Sequence, residues 1–105
     1  MSLVLALLLA GPISKWNDER PRIQVISKAP MFDIERCLID LEGSPAPQVY
    51  RQPDRPDEVT LLWVVENTTV GRADLKRIAG GTEVKIWAKG NQMRACASTG
   101  RPTGN

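Results

Sequence analysis

Pro30-Met31-Phe32-Asp33-Ile34-Glu35-Arg36-Cys37-Leu38-Ile39-Asp40-Leu41-Glu42-Gly43 is the clearest helical signal in the chain. Ile34, Cys37, Leu38 and Leu41 stand at i, i+3, i+4 and i+7, which draws one apolar stripe down a helix. Pro30 suits the first turn, because its fixed φ matches a helix and its missing N–H has no partner to lose there. Asp33 and Glu35 complement the positive end of the helix dipole, and Arg36 and Asp40 are spaced to pair on the outer surface. Gly43 fits a left-handed stop, and Ser44-Pro45-Ala46-Pro47 blocks continuation. The spacing predicts a single helix over about 30–42.

Downstream, the period changes from helical to alternating. Gln48-Val49-Tyr50-Arg51 is a short extended piece, and Gln52-Pro53-Asp54-Arg55-Pro56-Asp57 has turn chemistry. Glu58 to Glu66 is apolar on both faces, with Val59, Leu61, Trp63 and Val65 against Leu62 and Val64, as a central strand is. Asn67 to Gly71 reads as a turn and also matches an N-glycosylation acceptor triplet at Asn67-Thr68-Thr69. Arg72 to Ile78 fits a strand better than a short helix. Gly80-Gly81 signals a tight turn, and Thr82 to Ala88 alternates cleanly. Lys89-Gly90-Asn91 reads as a further turn. Gln92 to Ser98 closes as a strand, with Met93, Ala95 and Ala97 on one face. Upstream, Arg22 to Ser27 alternates as a first strand, with Ile23 and Val25 together.

The expected fold is α+β: one antiparallel sheet of about 4–6 strands, mostly in meander order, with the single helix packed across one face. Segments 1–12 (apolar), 13–21 (lead-in loop), 22–98 (the domain) and 99–105 (flexible tail) complete the division.

Composition excludes more than it identifies. The chain has 105 residues, 42% hydrophobic and 25% charged, with a formal net charge of +2. Those values belong to one folded domain, and the charge argues against a polyanion partner. No histidine is present. That removes Ser-His-Asp and Cys-His catalysis and histidine-ligated metals. No catalytic, cofactor-binding or metal-binding residues are assigned, and no cofactor is expected.

Ser2 to Ala10 is an apolar run too short to span a bilayer, which takes about 20 residues. It resembles the apolar part of a secretory signal, although no basic residue precedes it and Leu8 stands where a small residue is preferred. A periplasmic or secreted location is expected, with the cytoplasm as the alternative. In an oxidising compartment Cys37 and Cys96 would bridge helix to sheet, although the strand phase of Cys96 points away from Met93 and Ala95.

Three functions follow. The first is a small exported, non-enzymatic binding or structural domain, with a protein partner or a second copy of itself. A binding surface for it would draw on Tyr50, Arg51, Arg55, Arg72, Arg77, Lys85, Trp87 and Arg94. The second is a nucleic-acid or polyanion binder using a basic outer face of strands 72–94, where Arg72, Lys76, Arg77, Lys85, Lys89 and Arg94 align with Trp87 among them. The third is an enzyme or enzyme subunit using carboxylates such as Asp33, Glu35, Asp40 and Glu42, or Asp54, Asp57 and Glu58.

Overall fold

A computed structural model describes residues 19–88 and 91–101. The apolar segment 1–12, most of the lead-in, Lys89-Gly90 and the end of the tail lie outside the described residues. The elements are β1 (Ile23–Ser27), α1 (Met31–Ile39), β2 (Gln48–Tyr50), β3 (Glu58–Val65), β4 (Thr68–Ile78), β5 (Gly81–Trp87) and α2 (Asn91–Thr99). All strand pairs are antiparallel, in one five-stranded sheet. The fold is α+β.

Two expectations about its layout are overturned. The order is β1-β5-β4-β3-β2, not a meander from the first strand onward. β1 enters at the free edge of β5, where Ile23 and Val25 lie opposite Ile86 and Val84. The chain must then cross to the opposite margin, about 19 Å at four strand spacings. α1 and the loop 40–47 make that crossing.

The second correction is the last element. Gln92 to Ser98 is helical, so among the described residues two helices cover the sheet. Met93, Cys96, Ala97 and Gly100 are also spaced at i, i+3, i+4 and i+7. Cys96 and Ala97 are fully buried, and Met93 packs against them. Alanine is the best helix former, and Gly100 takes the left-handed conformation just past the end (φ 75°). The period-two reading through Met93, Ala95 and Ala97 was available but is not the one that buries Cys96.

The predicted stripe of α1 is the buried one. Ile34 and Leu38 are fully buried, with Cys37 and Leu41 nearly so. α1 stops at Ile39, earlier than its stripe suggests; Leu41 stays in the core beyond the last turn, and Gly43 (φ 74°) turns the chain afterwards. These residues and α2 meet the inward row of the sheet: Val59, Leu61 and Trp63 of β3, Ala73 and Leu75 of β4, Val84 and Ile86 of β5.

The β3–β4 turn is tighter than the sequence suggests. Glu66 and Asn67 both have positive φ (50° and 64°), as a two-residue hairpin with matching twist requires, and Thr68 to Gly71 belong to β4. A bulge between Trp63 and Val64 follows, where Gly71 faces the Trp63 ring.

Cys37 and Cys96 form a disulfide, with Cα atoms 5.6 Å apart. It joins helix to helix rather than helix to strand. Its two residues are 59 apart in sequence, so in the chain-entropy model reduction lowers the unfolding free energy by up to about 4 kcal/mol. Urea melts with and without reductant should show the midpoint fall; coincident curves would mean the clip is neutral. Leu38→Ala should cost about 2–5 kcal/mol, the usual range for emptying a packed leucine site. A loss below about 1 kcal/mol would contradict the burial of the α1 stripe.

Candidate functional site

Strand alternation divides the sheet into two faces. The inward face is the core. The outward face carries rows set by register. One row runs Gln24, Lys85, Asp74, Thr60, Tyr50 across all five strands. Beside it Ile26, Glu83, Lys76 and Glu58 align, and on the other side Trp87, Arg72, Leu62 and Gln48.

An open groove of about 480 Å³ lies on this face. Its floor is the β2–β5 part of the first two rows, and the loop after β2 forms one end through Arg51, Gln52 and Arg55. The loop is stiffened by Pro53 and Pro56 and by two turn hydrogen bonds, Arg55 N–H to Gln52 C=O (2.9 Å) and Glu58 N–H to Arg55 C=O (3.1 Å). The volume is in the range of small-ligand sites, about 300–1,000 Å³, but the lining is polar rather than apolar.

Its fixed point is Arg72. The guanidinium donates two hydrogen bonds to the Asp74 carboxylate, Nε to Oδ1 (2.9 Å) and Nη2 to Oδ2 (2.8 Å). The two residues are two apart on one strand, so their side chains share a face and the fork meets the carboxylate edge-on. Thr60 Oγ1 donates to Asp74 Oδ1 from β3 (3.2 Å). On its other side Arg72 stacks over Trp87, 5.2 Å from the ring centroid. The Trp87 indole N–H donates to the Glu19 carbonyl (2.8 Å), which anchors the lead-in to this end of the face.

Tyr50, Arg51, Arg55, Arg72 and Lys85 of the anticipated surface therefore line one groove, with Trp87 adjoining beneath Arg72. Arg77 and Arg94 are not part of it. Arg77 shares the inward parity of Ala73 and Leu75, and at the margin of the sheet its Nη1 donates to Asp57 Oδ1 (3.1 Å). Arg94 sits on α2, across the sheet. Thr60, Asp74, Lys76 and Glu83 belong to the groove and were legible only as outward positions of their strands.

The acids are not uniformly solvated. Glu35 is buried and paired with Arg51, while Asp57 takes Arg77. Phe32 stands exposed between the guanidiniums of Arg51 (5.6 Å) and Arg77 (5.1 Å). Glu35 Oε1 is buried without a hydrogen-bond partner among the described residues. No group of three or more His, Cys, Asp or Glu is placed to hold a metal ion among the described residues. No helix among them is long and apolar enough to cross a membrane.

The arrangement can bind polar or charged groups through alternating cations, carboxylates and hydroxyls. Asp74 holds its geometry. Asp74→Ala should cost about 1.5–3 kcal/mol of stability, the usual worth of hydrogen bonds to a charged group, because the Arg72 side chain is only 10% exposed. Chemical denaturation checks this, and an unchanged midpoint would show that Arg72 is held without its carboxylate. No family model matches the chain, and neither a curated protein nor a solved structure matches it.

Proposed function

We propose that this protein is a small, exported, non-enzymatic binding or structural domain that works outside the reducing cytosol and presents the face of its sheet opposite the described helices. The observation that carries this reading is the Cys37–Cys96 disulfide. Such bonds persist in oxidising compartments and are rare where glutathione keeps thiols reduced. Here the bond joins the only two cysteines of the chain. The apolar run of Ser2 to Ala10 supports export through its sequence. The open groove between Tyr50, Arg55 and Lys85 supports binding, because it lies on the face opposite the described helices.

The reading is tested by fractionating cells that make the natural chain and weighing the intact protein. The expected result is protein in the periplasm or medium, lacking the two thiol hydrogens. Protein confined to the cytosol with both thiols reduced would overturn it.

A further inference from the structure

We propose that the chain forms a two-fold symmetric homodimer in which β1 pairs antiparallel with β1 of a second copy, joining the two sheets into one. The starting point is an asymmetry between the two margins of the sheet. At one margin β2 has three residues, preceded directly by Pro47 and followed closely by Pro53. A short edge bracketed by prolines, which supply no N–H, is a poor template for a further strand.

The other margin is less protected: Pro21 and Pro30 flank β1, but neither adjoins it. β1 is five residues long, Ile-Gln-Val-Ile-Ser, without charge, proline or glycine. It runs in unbroken register along β5. Its outer side presents the row of backbone N–H and C=O groups that every sheet edge leaves unpaired. Ile26 is 66% exposed, the highest value among the exposed large hydrophobic residues described.

The occupant is a second copy because β1 complements itself. A two-fold axis at Ile26 sets that side chain directly against its counterpart. It places Val25 opposite Ser27 and Gln24 opposite Lys28, so no like charges meet. An axis at Val25 would instead oppose Arg22 and Lys28, and like charges directly across a pair are unfavourable. One such edge among the described residues also means that pairing closes at two copies. The axis is perpendicular to the sheet, so all helices stay on one side and both grooves open on the other. This contact goes beyond the single-chain binding reading and uses none of the groove residues.

Full-length protein should sediment at about twice the 11.6 kDa chain mass in a concentration series reaching about 100 µM. Ile26→Glu should weaken the dimer at least about tenfold, since it opposes two carboxylates, each tenfold corresponding to 1.4 kcal/mol. Far-UV circular dichroism should stay unchanged, because the side chain is already exposed. Val70→Glu, at another exposed aliphatic residue, should leave the dimer intact. Ile26→Cys should cross-link to its own copy under mild oxidation, since directly opposed Cβ atoms stand about 4.5–5.5 Å apart. A monomer at every concentration overturns the proposal. So does a dimer that is indifferent to Ile26→Glu and gives no cross-link at position 26.

Discussion

The pairing of β1 with β5 is the contact on which the rest of the molecule depends. It brings the first strand to the last strand, and with them the helices that follow each. Ser27, at the end of β1, lies opposite Thr82 near the start of β5. Both are buried, and both hydroxyls are used. Ser27 Oγ donates to the Ser98 carbonyl of α2 (2.9 Å) and accepts from the Ala29 N–H (3.0 Å). Thr82 Oγ1 donates to the Ala29 carbonyl (2.9 Å). Two side chains thus tie the entrance of α1 to the exit of α2. Gly81 lets the backbones meet, for a Cβ there would collide with the Ser27 carbonyl.

That junction makes the disulfide geometrically accessible. Each helix is only nine residues long, below the length at which a helix holds itself in water, about 12–15 residues. Their stability comes from burying one face against the sheet and against each other. The bond from Cys37 to Cys96 adds a covalent limit to how far they separate. Arg51 ties α1 in another direction, through Glu35, to the end of β2. α1 is therefore held at both margins: through Ala29 at its start, where β1 lies, and through Glu35 on the β2 side.

What was legible in the sequence follows from how local each signal is. The α1 stripe is unambiguous because Ile34, Cys37, Leu38 and Leu41 fit no strand. The strand identity of β3, β4 and β5 rests on alternation and is equally local. α2 carries two periods at once, since apolar residues at 93, 95, 96 and 97 satisfy either. The helical period is the one that places Cys96 against Cys37, 59 residues away. The place of β1 was also beyond reach, because no residue near Ile23 encodes β5 as its neighbour. At the groove, parity alone separates Arg77 from Arg72 and Lys76. Arg94 was grouped with them only because its helix was read as a strand.

The groove's charge pattern decides what kind of ligand suits it. Lys76 lies between Glu58 and Glu83 in register, and Lys85 lies opposite Asp74. Asp74 is committed to Arg72 and Thr60, and Arg51 to Glu35. The cations are thus not a continuous strip. A polyanion laid along the floor would meet carboxylates at nearly every strand it crossed, and like charges at close range are repulsive. A ligand with both signs of charge, or with many hydroxyls, meets a complementary group at each step. The strand pattern of this face, a cation opposite an acid in successive strands, leaves no continuous cationic strip along the floor.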